Sequence, residues 1–225
     1  MAILLSFSSI ACAKSVESTQ LIKEQKWEQI VQEIESLTLD NPIDPKIKDV
    51  VIALNALGIT TKASSEGYLD HGLPYPWVDI DDTPEIKALS DQLSLLLEKG
   101  KQEERLLKIR YPNLPWDEIF DQPDAEEYYE LLIEICECGD TLDRAIALYL
   151  QPTYLLLHQF YQTVNSPYDH ILMIQSNSFR RIQCLGGGWQ SARSEEEKAK
   201  KLGEYQEEMM KFGHFLKERF FSTGN

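Results

Sequence analysis

Apolar residues recur at helical spacing through most of the chain. Trp27, Ile30, Val31, Ile34 and Leu37 form one stripe, with Lys23, Glu24, Glu28, Gln32 and Glu35 on the other side. Asp44-Pro45 supplies a cap and a first-turn proline for a second helix, in which Ile47, Val50, Val51, Leu54 and Leu57 face inward and which Gly58 stops. A third helix opens at Thr83-Pro84-Glu85 and carries Ile86, Leu89, Leu93, Leu96 and Leu97, with Gly100 ending or weakening it before Lys101 to Ile109. After the proline-punctuated run YPNLPWDEIFDQP, helical patterning returns from Asp124 to Gly139 and from Ala145 to Leu150. It resumes after a break at Pro152 and runs to Val164. A charged helix from Ser194 to about Phe220 closes the chain, with Leu202, Tyr205, Met209, Phe212, Leu216 and Phe220 on its core side.

The period changes to two in four short segments. Ile59 to Ser65 is rich in β-branched residues, and Pro76 to Asp81 alternates Pro76, Val78 and Ile80 with Trp77, Asp79 and Asp81. HILMIQS is apolar on both faces, which predicts a central strand, and it is joined through an Asn177-Ser178 turn to FRRIQCL. The expected fold is therefore α+β: a mostly helical single domain over residues 1–225 with one small antiparallel sheet of two β hairpins, about 59–65, 76–81, 169–175 and 179–185. Residues 1–18 stand apart as a flexible or signal-like segment. Pairing of the first two strands would bring Thr60 and Lys62 near Asp79 or Asp81.

Charge narrows the partners. Lys and Arg number 22 against 37 Asp and Glu, a net charge of -15, which repels nucleic-acid phosphates and anionic lipid. No nucleic acid and no membrane are expected as partners, since no stretch approaches the roughly 20 apolar residues of a spanning helix. Eleven carboxylates and no Lys or Arg lie between Asp117 and Asp143. That run reads as a solvated helix face or as a docking surface for a basic protein partner. Glu127, Glu130, Glu134 and Glu137 share a helical face but lack the histidines of a carboxylate metal bundle, so no metal is assigned. Cys12, Cys136, Cys138 and Cys184 form no Cys-x-x-Cys pair and fit reduced thiols in a cytoplasm. The start MAILLSFSSIACAK imitates a cleavage site without a basic n-region, and export is the alternative localisation.

Two loops carry the candidate chemistry. Ser64, Ser65, Glu66, Tyr68, Asp70 and His71 cluster between the first two strands, an unusual density of reactive side chains, although the same residue types serve turns for backbone reasons. Arg180 and Arg181 on the last strand precede Gly186-Gly187-Gly188, whose backbone N–H groups would suit an anion. The candidate ligand-binding set is Ser64, Ser65, Glu66, Tyr68, His71, Arg180 and Arg181, one arginine facing the first loop across the sheet. The expected guest is a small anionic molecule, nucleotide or phosphometabolite-like. No catalytic set is completed, no cofactor is indicated, and the oligomeric state is open.

Within residues 51–80, the run ALNALGITTKASSEGYLDHGLPYPWVDI resembles a helix, glycine, strand, "T-x-x-SCEGH"-like loop and strand element of uncharacterised bacterial and phage proteins. Thr61, Ser64, Glu66 and Gly67 match that pattern, whereas its Cys and His fall at Ser65 and Tyr68. The resemblance implies no activity, and the two departures speak against a thiol mechanism.

Overall fold

The computed structural model describes residues 4–37, 42–175, 179–192 and 194–222. The elements in order are α1 (Leu4–Leu37), α2 (Pro45–Ala56), β1 (Thr61–Ser65), β2 (Trp77–Ile80), α3 (Pro84–Arg110), α4 (Trp116–Ile119), α5 (Glu126–Thr163), β3 (Leu172–Gln175), β4 (Arg181–Cys184) and α6 (Glu195–Ser222). The fold is α+β and mostly helical, with one four-stranded antiparallel sheet in the order β1-β2-β4-β3. The Asn177-Ser178 turn lies outside the described residues. Among those described, no helix is long and apolar enough to cross a membrane.

The chain divides into two compact units, one of Met1–Asp81 with Thr153–Asn225 and one of Asp82–Pro152. In the first, α2 and α6 pack closely. A Cβ on Gly213 would stand 3.0 Å from Val50 Cγ2, so the glycine sets how near the two helices approach. Ile47, Val50 and Leu54 join Tyr205, Met209, Phe212 and Leu216 in the core, together with Val78, Ile80, Ile182 and Cys184 of the sheet. Phe160 completes it, 5.3 Å from the Phe212 ring. Trp27 of α1 lies 5.6 Å from Phe220, and Lys23 Nζ donates to the Phe221 carbonyl at 3.0 Å.

In the second unit, Leu107, Ile119, Ala125 and Tyr128 form a small core with Trp116 and Leu132 against it. Tyr111 Oη donates to Asp124 at 2.6 Å, and Arg110 pairs with the same carboxylate. Gly100 neither ends nor interrupts α3. It is buried where a Cβ would stand 3.1 Å from Ile135 Cδ1, so the missing side chain makes room for α5.

Three local expectations are corrected. β3 is an edge strand, with β2 and β4 central; Met173 and Gln175 are half-exposed, so the apolar character of both faces overstated its burial. α5 continues through Pro152, which removes one backbone donor without ending the helix. Of the expected β1–β2 proximities, Thr60 does meet Asp81, its carbonyl accepting from the Asp81 N–H at 2.8 Å, but the residue opposite Asp79 on β1 is Ala63 and its ion-pair partner is Arg181 of β4 rather than Lys62, because the register shifts between Thr61 and Ala63.

Candidate functional site

The loop after β1 is built by hydrogen bonds to the start of α2. Asp44 makes no side-chain cap of its own helix. Its Oδ2 accepts from the Glu66 backbone N–H at 2.9 Å, and its Oδ1 accepts from Tyr68 Oη at 2.5 Å. Glu66 in turn reaches back, Oε2 accepting from the Lys46 N–H at 3.2 Å and so satisfying a first-turn donor of α2. Gln206 of α6 closes the ring: its Oε1 accepts from Lys46 Nζ at 2.7 Å, and its Nε2 donates to the Glu66 carbonyl at 2.9 Å.

Gly67 has φ +81, a left-handed conformation that costs other residues about 1–2 kcal/mol. A Cβ there would lie 2.5 Å from the Tyr75 carbonyl carbon, so the position is closed to side chains twice over. Ser65 Oγ accepts from the Gly67 N–H at 3.1 Å. The loop therefore presents Tyr68 and His71, whose rings stack 4.3 Å apart at 18°. His71 Nδ1 lies 2.8 Å from Asp70 Oδ1, and this contact lowers the Asp70 carboxyl below its ordinary range. The hydrogen bond to Asp44, with burial and the same negative charge adding to it, pushes the Tyr68 phenol up to about 12.

Beside this loop runs a groove of about 680 Å³. It is lined by the run Thr60 to Ser65, by Ile34, Pro42, Ile43, Asp44, Val51 and Asn55 from the end of α1 through α2, and by Tyr68 and His71 just beyond the carboxyl end of β1. Successive strand residues point to opposite faces of a sheet. A groove bordered by six consecutive residues thus follows the edge of β1, not one of its faces. Asn55 holds the wall in place, donating to the Val51 carbonyl at 2.8 Å and to Thr61 Oγ1 at 2.9 Å.

Of the residues singled out from sequence, Ser64, Ser65, Tyr68 and His71 line the groove, while Glu66 sits behind them as a scaffold. Neither arginine lines it. Arg181 binds Asp79 through two hydrogen bonds, Nε to Oδ1 at 2.7 Å and an Nη to Oδ2 at 2.9 Å, and its guanidinium lies 4.0 Å from the Trp77 ring and 5.0 Å from that of Phe179. Arg180, buried and with φ +42, turns the chain into β4, and its carbonyl accepts from the Ile80 N–H. Gly186 and Gly187 are buried while Gly188 is exposed: Gly186 lies against Tyr205 and Asp169, and a Cβ on Gly187 would stand 2.8 Å from the Tyr75 ring. Tyr75 thus touches both Gly67 and Gly187, so the two loops do come together, but around a packed side chain.

Asp44 and Asn55 are the groove residues that the sequence concealed. Asp44 before Pro45 reads as a helix cap, and nothing local signals that its partners lie 22 and 24 residues onward. No protein-family model, curated protein or solved structure matches this chain.

Proposed function

We propose that this protein is a non-covalent binding domain whose site is the groove along β1. The groove itself carries the reading: it follows the edge of β1 from Thr60 to Ser65, apolar Ile34, Ile43 and Val51 are also among its lining residues, and a stacked Tyr68–His71 pair stands at one end. A volume of about 680 Å³ with an apolar wall and a few placed polar groups is what ligand sites use. The loop's polar groups are engaged in building the loop, which supports binding over catalysis.

The two loops also suggest a nucleotide or phosphometabolite-like anion as the guest. In favour of it stand Lys62 and His71. Against it stand Asp44 in the groove, Glu66 and Asp70 beside it, and the commitment of Arg181 to Asp79. The balance favours a neutral or cationic guest. Free thiols at Cys136, Cys138 and Cys184 suit a reducing cytoplasm, the location we favour over export.

Thermal-shift screening of neutral, cationic and phosphorylated compounds, with inorganic phosphate and adenosine monophosphate as the anionic members, tests the site. A guest at a hundredfold excess over its Kd adds about 2.7 kcal/mol, a rise of roughly 5–10 °C for a chain of this size. The rise should shrink by at least half in His71→Ala, which alters an exposed ring. Hits unaffected by that change and by Ser64→Trp would place binding elsewhere.

The acidic region supports a second proposal, a non-catalytic interaction or inhibitor-type role toward a basic partner. All eleven carboxylates from Asp117 to Asp143 are exposed, and Tyr129 and Ile133 are exposed among those of α5, at 58% and 44%. Joint reversal of Glu126, Glu127 and Glu130 to Lys should abolish such an association, and a complex that survives it would refute this role.

A further inference from the structure

We propose that the guest of the groove is an extended peptide segment that adds to the outer edge of β1 as a fifth strand; this rests on the groove being the binding site. Among the described residues β1 pairs only with β2, and it stands at the end of the strand order. In an antiparallel ladder every second residue directs its N–H and C=O away from its partner strand. The outer edge of β1 therefore borders the groove with backbone donors and acceptors, the groups an added strand would take.

The two halves of β1 differ as docking surfaces. At the amino half the register shift and the charged Lys62 disrupt regular pairing, devices that blunt strand edges. From Ala63 to Ser65 the ladder with β2 is regular, Ala63↔Asp79, Ser64↔Val78 and Ser65↔Trp77, and the side chains are small and uncharged. Pairing would be concentrated there.

The rest of the groove sets the side chains of the segment. Ile34 and Ile43, both part-exposed, line the same groove as β1 and would receive apolar residues at alternate positions, above the buried Val51. Asp44, Glu66 and Asp70 cluster at the carboxyl end, in a chain of net charge -15, so a Lys or Arg fits the end of the segment that lies beside Tyr68 and His71. A small molecule would use the stacked rings but would leave the long side of the groove, which is strand backbone, without a partner.

The test uses the full chain, ¹⁵N-labelled, and a mixture library of acetylated, amidated hexapeptides with alternating apolar positions and a basic residue near either end. The expected result is movement of the Ala63, Ser64 and Ser65 amide signals. For the best peptide, N-methylation at every second position weakens binding by about tenfold or more, the effect of losing a hydrogen bond, and at intervening positions by under about threefold. Equal sensitivity at all positions, or no response from any library member, overturns the peptide proposal. If small polar compounds still shift Tyr68 and His71 in the second case, the groove stands as a site without peptides; if they too are silent, both proposals fall.

Discussion

Asp44 and Tyr68, 24 residues apart, are joined by a 2.5 Å hydrogen bond from the phenol to the carboxylate, and this contact fixes the loop that ends the groove. Because Asp44 also accepts from the Glu66 N–H, one side chain at the entry to α2 determines where the chain goes after β1. The phenol is pushed up to about 12 from its ordinary 10. A pKa raised on folding means that the native state holds the proton more tightly, so the stabilisation is complete below pH 10 and is lost as pH rises toward 12. The ultraviolet titration of the wild type minus that of Tyr68→Phe should show one tyrosine ionising late, and Asp44→Asn should return it toward 10. A difference curve centred at 10 in the wild type would show that the contact is not made.

Arg181→Ala should destabilise the fold without touching the groove. Asp79 is 4% exposed, and removing one member of a buried, bidentate pair costs about 3–5 kcal/mol. Urea denaturation measures the loss, and Asp79→Asn combined with Arg181→Met should recover part of it by removing both charges. Guest affinity per folded molecule should stay unchanged in the same variants.

Gly67→Ala should cost more than the about 1–2 kcal/mol of left-handed backbone, since the added methyl meets the Tyr75 backbone at 2.5–2.8 Å. Gly72→Ala provides the comparison: its φ of +67 brings similar strain, but nothing lies within 4 Å of the new methyl. The difference between the two midpoints isolates the steric contribution.

Thiol labelling under native conditions should separate three cysteines. Cys136 is exposed, whereas Cys138 and Cys184 are buried, and burial, reinforced by Glu208 and Asp169, pushes the Cys184 thiol far up. Cys136 should react with a disulfide reagent in minutes, while Cys184 waits for unfolding. Mass mapping after a short pulse checks the order.

The sheet was legible because alternation is a local property: Val78 and Ile80, and Ile182 and Cys184, face the core from strands within a residue or two of where the pattern put them. Strand order was not, since apolar residues on both faces of β3 do not reveal whether a neighbour lies on each side. Gly100 and Pro152 misled in the same way. Each is a helix breaker by intrinsic preference, yet each lies inside a long helix, Gly100 where close packing requires the absence of a side chain. At the site, Ser64, Ser65, Tyr68 and His71 stood out by composition. The roles of Asp44 and Arg181 depend on partners 22 to 102 residues away, which spacing does not encode.

The most direct measurement is a backbone-amide chemical-shift map of the full chain titrated with the hexapeptide library and the small polar set. If the groove is the binding site, the signals that move are those of residues 60–65, Tyr68 and His71. Movement confined to the α5 signals of Glu126 to Ile133, or none at all, would contradict it.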